Sequence, residues 1–210
     1  MKKWLKMMLV CVLSFMMTGC MKMTITMNVN KKGEVTEDMK ILMSKEMLTA
    51  NGADLDAALE SMKKEYVEKY PDAKIETVTE KFDDAEYAGL NVTGIKDEDL
   101  KATVEGRVVT LELPMNDLTE DVSDMNNTGM DFSPSQLKSF GCSMKLVVNM
   151  PDKAECEYGT VDGKTVTIDL LEVPSGTKSI TVTSKLGGFP WWLLIIPIAA
   201  AAVFFLRRKK

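Results

Sequence analysis

The sequence predicts an α+β domain. An antiparallel sheet carries one long amphipathic helix packed on one face, with an N-terminal signal segment before it and a C-terminal transmembrane helix after it. Three observations carry this reading. Apolar and polar residues alternate in several short runs, the pattern of strands with one buried face. One run, Leu55, Leu59, Met62, Tyr66 and Tyr70, repeats instead at helical spacing. Both ends of the 210-residue chain are apolar and hold no acidic residue.

The elements follow in order. Met23, Ile25, Met27 and Val29 alternate with Thr24, Thr26 and Asn28, and "NKKGE" then turns the chain. Met39, Ile41 and Met43 alternate again, and Asn51-Gly52 closes this unit. The helix runs to Tyr70, with Pro71 just past its end. Short strands are expected near 74–82, 86–95, 102–105 and 107–113. Residues 116–133 are polar and acidic and read as a loop, after which Ser133-Pro134 opens a short helix to about Phe140. Met144 to Met150, Val166 to Leu170 and Ile180 to Leu186 supply three more alternating runs, separated by the turn signals "VDGK" and "PSGT".

The ends describe an anchored, exported chain. Lys2, Lys3 and Lys6 precede an apolar run that stops at Met17-Thr18-Gly19-Cys20. A basic head, an apolar stretch and small residues make an export signal over 1–19. A cysteine at the cleavage point makes it a lipoprotein signal resembling the bacterial lipobox, with Cys20 the site of acylation (palmitate or a similar chain). Trp191 to Leu206 is free of charge. As a helix it spans about 24 Å, short of the ~30 Å hydrocarbon core but workable with its flanks. Domain boundaries follow: a signal peptide at 1–19, an extracytoplasmic domain at 20–188, a transmembrane helix at 189–206 and a cytoplasmic basic tail at 207–210. The tail satisfies the positive-inside rule. "SKLGGFP" stands where a wall-sorting motif would need an LPxTG-like sequence, so covalent wall attachment is not expected.

Charge excludes some partners. Of 26 basic residues, seven lie in the two terminal segments, so 19 face all 31 acids in the domain, a net charge of −12. Such a surface repels phosphate backbones, and nucleic acid is not an expected partner. Membrane lipids are the expected surroundings. The same field favours an uncharged or zwitterionic ligand over a strongly anionic one.

The layout resembles the LppM-like bacterial lipoproteins. The matching parts are the lipobox Cys20, the opening hairpin "MKMTITMNVNKKGEVTEDMKILMSKEML", the late hairpin "LVVNMPDKAECEYGTVDGKTVTIDLLEV", and the apolar C-terminal stretch with its basic tail. The resemblance implies an extracytoplasmic envelope protein that binds a lipid or glycolipid. It brings no catalytic residues.

The chain has no histidine, which removes the commonest general base and most zinc sites. Asp83-Asp84 and Asp97-Glu98-Asp99 sit at turns or helix starts and read as solvated caps. In "DMNNTGMDFSPS", Asp124, Asn126, Thr128 and Gly129 fit a calcium loop, but Ser135 stands where a bidentate Glu belongs. An Asn/Gly turn explains that stretch more simply. No metal and no cofactor are expected. Methionine crowds the first hairpin and the helix, and a flexible, polarizable Met face adapts to irregular apolar ligands. Core filling explains the same residues. The ligand-binding candidates are Met27, Met39, Met43, Leu59, Met62 and Tyr66. The expected function is therefore non-catalytic binding of an envelope lipid or glycolipid, with an envelope scaffold that binds a protein partner as the alternative.

Two spatial expectations complete the reading. With both tethers short, the first and last strands should run roughly antiparallel, their membrane ends close together. Cys142 and Cys156 should not pair, because about 20 Å of strand separates Cys142 from the bend that precedes Cys156.

Overall fold

The computed structural model describes residues 21–50, 52–82, 84–96, 100–115, 133–174 and 176–187. Its chain is mostly strand, arranged in two sheets. The large sheet uses β1 (Met21–Val29), β2 (Val35–Ser44), β3 (Lys74–Phe82), β4 (Ala85–Ile95), β7 (Ser143–Asn149), β9 (Thr160–Asp162) and β10 (Thr165–Asp169), in the order β3-β4-β2-β1-β7-β10-β9. The second sheet is β5 (Thr103–Glu105), β6 (Val108–Pro114), β11 (Ser179–Lys185) and β8 (Ala154–Cys156), in the order β5-β6-β11-β8. Among the described residues three helices lie outside the sheets: α1 (Lys45–Thr49), α2 (Leu55–Lys69) and α3 (Pro134–Ser139).

This corrects the predicted fold class. There are two sheets where one was expected, and the large one is mixed, because β1 and β7 pair in parallel. Period-2 alternation reports that a strand has a buried face. It is silent about what covers that face. Here β6 and β11 cover it: Val109, Leu111, Ile180 and Val182 are fully buried in one core with Ile41, Leu90, Leu146 and Val166. The helix is not the amphipathic layer that the spacing predicts. α2 starts at Asp54, whose side chain caps the amides of Asp56 and Ala57, but its one buried residue is Leu59. It packs beside β3 and β4 and leaves Val67 46% exposed. Among the described residues no helix is long and apolar enough to cross a membrane. The signal segment and the C-terminal apolar stretch lie outside the described residues.

Local chemistry accounts for the ends of several elements. The "NKKGE" turn closes through Asn30, whose side-chain oxygen accepts from the amides of Lys32 and Glu34. α3 opens on a capping box in which Ser133 and Gln136 satisfy each other's backbone amides.

The first and last strands do not return to one end. Lys22 lies opposite Ser143 and Asn28 opposite Asn149, so β1 and β7 rise together. Ala154, just past the top of β7, donates to Gly163 O and pairs with Ser184. β8 then descends, and its antiparallel partner β11 rises to finish beside that same top. Gly187 N reaches Asp152 Oδ2 at 2.8 Å, which pins the end of the described chain there. Lys22 and Leu186 therefore stand at opposite poles, and the expected pairing of membrane ends is overturned. Cys142 precedes β7 at the lower pole, Cys156 sits on β8, and neither forms a disulfide.

The Asp152 clamp has a pH signature. Hydrogen bonds from the amides of Gly187 and Lys153 hold its carboxyl below its ordinary value of 3.8. A depressed carboxylate stabilises the folded form above the unfolded value, and that contribution disappears as pH falls through the folded one. At pH 6, hydrogen exchange of the Gly187 amide should be faster in Asp152→Ala than in wild type. The difference should vanish well below pH 3.8. Equal exchange at pH 6 would show that the clamp does not form.

Candidate functional site

The outer face of the large sheet is built from the residues that alternate with the core. On β1 these are Lys22, Thr24 and Thr26, between the buried Met23, Ile25 and Met27. Register carries the same face sideways. Lys22 lies opposite Leu42, Thr24 opposite Lys40 and Thr26 opposite Asp38. Ser143 and Lys145 of β7 flank Lys22 and Thr24 on the other side. With Glu80, Phe82 and Asn91 they line a concave groove of about 360 Å³.

Three lysines and two acids line the groove, and both acids are engaged. Glu80 binds Lys40 Nζ at 2.7 Å, a pair about one-third exposed and therefore worth little to stability. Asp38 accepts from Gly94 N at 2.9 Å and from Asn28 Nδ2 at 3.3 Å. Lys22 Nζ sits 4.6 Å from the Phe82 ring centre and 5.1 Å from that of Tyr87. Those two rings meet edge to face at 5.4 Å. Lys145 is exposed. Although the domain carries a large negative charge, this groove offers two cations, Lys22 and Lys145, beside a row of hydroxyl and amide groups. It suits a polar headgroup bearing negative charge, with Phe82 and Leu42 as its apolar floor.

The residues predicted as ligand-binding lie mostly elsewhere. Met27, Met39 and Leu59 are buried at 3%, 6% and 7% exposure, and Met62 and Tyr66 pack half-buried against the same core. Met43 is half-buried at the end of β2. Met39 alone of the six borders the groove. Cys20, most of the calcium-like stretch, and the acids Asp83 and 97–99 lie outside the described residues. Among the described residues no cluster of acidic or cysteine side chains is arranged to hold a metal. The lysines escaped the sequence reading because the polar half of an alternating strand reads as solvated surface. The available signal was one Lys on the polar face of each of β1, β2 and β7.

Two packed sheets define a two-layer β domain with a cation-bearing groove on its outer face, and comparison with known proteins places it more closely. The LppM domain matches residues 22–184, and the chain belongs to this family of lipoproteins. The folded domain of Mycobacterium tuberculosis LppM, solved by NMR, is similar over 80% of this chain and 91% of that one, at 11% identity and a TM-score of 0.41. No curated protein matches the sequence.

Proposed function

We propose that the protein is a non-catalytic lipoprotein of the cell membrane that binds an envelope lipid or glycolipid by its headgroup. The domain lies on the extracytoplasmic face, held by acyl chains on Cys20, with the tail 207–210 on the cytoplasmic side. The observation that carries the reading is the groove, where Lys22 and Lys145 stand beside Thr24, Thr26, Asn91 and Ser143 over an apolar floor. Its local charge favours a headgroup bearing negative charge, where the charge of the domain as a whole favours an uncharged or zwitterionic ligand. Within the groove three lysines exceed two acids, Asp169 across the ladder from Lys145 accepts from the amide of Leu171, and acids more than ~8 Å away are screened by salt. The family's lipoprotein character supports the location.

The opposite poles shape how such a protein sits. From Gly187 to Trp191 the chain reaches about 14 Å at full extension. Lys22 to Asn28 alone covers about 20 Å of strand. A domain held at both ends therefore leans, its strands inclined toward the bilayer plane.

The test is binding of the full-length protein, in detergent, to lipids extracted from its host envelope. Lys145→Glu removes a charge-assisted contact worth ~1.5–3 kcal/mol and should weaken binding about tenfold or more. Added salt should weaken the wild type and have less effect on the variant. If no envelope lipid binds the wild-type protein, the scaffold reading takes its place.

A further inference from the structure

The pole at the start of β1 gathers apolar side chains that the core does not absorb. Met21 is half-buried and pairs across the ladder with Met43, also half-buried. One residue later Ser44 caps α1, its Oγ accepting from Met47 N at 3.3 Å. That cap places Met47 within one helical turn of the Met21–Met43 pair. Met47 is 50% exposed, the highest value among the exposed large apolar side chains of the described residues. Leu48 is half-buried beside it. Lys45 on the same turn is tied to Glu86 at 2.8 Å, and Lys22 is held over Phe82. Glu86 at this rim is thus paired, a lysine stands at each side of the methionines, and the exposed Glu46 is the acid left next to Met47 on α1.

The chain's entry point says what covers this patch. β1 begins at Met21, the residue next to Cys20, with no linker between them. Consecutive Cα atoms are about 3.8 Å apart. An acyl chain carried by Cys20 thus brings Met21 to the bilayer surface, and the neighbours of Met21 come with it. We infer that the Met21–Met43–Met47 pole is a membrane-seating surface, with Met47 and Leu48 inserted among the lipid headgroups of the leaflet that holds Cys20. This rests on the lipid-anchor reading. The seat belongs to the first strand alone, because β11 ends at the other pole. Methionine suits the role: it is apolar, unbranched and adapts to a disordered surface. The leaning domain pivots on this point, and the Lys22–Ser143 end of the groove lies beside it.

The experiment uses the mature full-length protein in vesicles whose phosphatidylcholine carries brominated acyl chains, which quench tryptophan on contact. Met47→Trp adds one reporter at the seat, and Val104→Trp adds one at the far pole, beside the Gly33 turn. Both positions are exposed, and equal thermal melts will show that the variants fold. Trp191 and Trp192 supply the wild-type baseline. The reporter at 47 should lose several-fold more fluorescence above that baseline than the reporter at 104. Fatty-acid labelling of wild type and Cys20→Ala is read in parallel. Labelled wild type with equal quenching at 47 and 104 overturns the seat and leaves the anchor standing. Unlabelled wild type overturns both.

Discussion

Gly89→Ala should cost the protein roughly 3 kcal/mol or more, at the upper end of what overpacking does. Gly89 lies in β4, which is hydrogen-bonded to β3 on one side and β2 on the other. A Cβ built there would stand 1.9 Å from the carbonyl oxygen of Ile41 and 3.0 Å from the Cα of Leu42. Both obstacles are backbone, so no rotamer change relieves them. β2 would have to part from β4 in the middle of the large sheet, opening the core at Ile41 and Leu90, which are 1% and 0% exposed. For a domain of this size that loss lowers the melting temperature by roughly 6–12 °C. Gly94→Ala is the control. Its φ is +77°, and an added Cβ meets nothing within 4 Å. It pays only the left-handed strain, about 1–2 kcal/mol. If Gly89→Ala melts no lower than Gly94→Ala, β2 and β4 are not as close as described.

Leu146→Ala and Lys145→Ala should separate stability from binding on one strand. Leu146 is fully buried between β1 and β10 and faces the second sheet. Truncation leaves a cavity in a core closed on both sides, at about 2–5 kcal/mol. Lys145 is its neighbour on the opposite face and exposed, so its truncation should change stability by no more than ~0.5 kcal/mol. Denaturant melts of the two variants measure the first contrast, and lipid binding the second. Leu146→Ala should still bind below its melting range, while Lys145→Ala should bind weakly though fully folded. A Lys145→Ala protein that binds like the wild type would remove the groove from the proposed function.

Much of the chain's local structure was legible. The alternations of Met23 to Val29, Met144 to Met150 and Ile180 to Leu186 all became strands with the expected face buried. The extent of α2 followed from the apolar repeat that starts at Leu55 and from the proline after Tyr70; its cap at Asp54 was not foreseen. Ser133-Pro134 opened α3 as its capping box requires. These features depend on residues within a few positions of one another, where period and turn chemistry act directly.

Sequence alone determined most of the strands, where they turn and which of their residues face inward, because each is a property of a short stretch; the three-residue β8 and β9 are too short to show a period and were not foreseen. Tertiary structure decided what those strands meet. Asn28 and Asn149 are hydrogen-bonded at 2.9 Å across 121 positions, and nothing near either residue announces the other. From such pairings came the parallel β1–β7 ladder, the second sheet in place of a covering helix, and the exit of β11 at the far pole. The groove arises in the same way: Lys22, Lys40 and Lys145 are unremarkable on their own strands and become neighbours only when β2, β1 and β7 lie side by side. Alternation tells a strand which way to face, and only the long-range contacts that bury that face choose its partner.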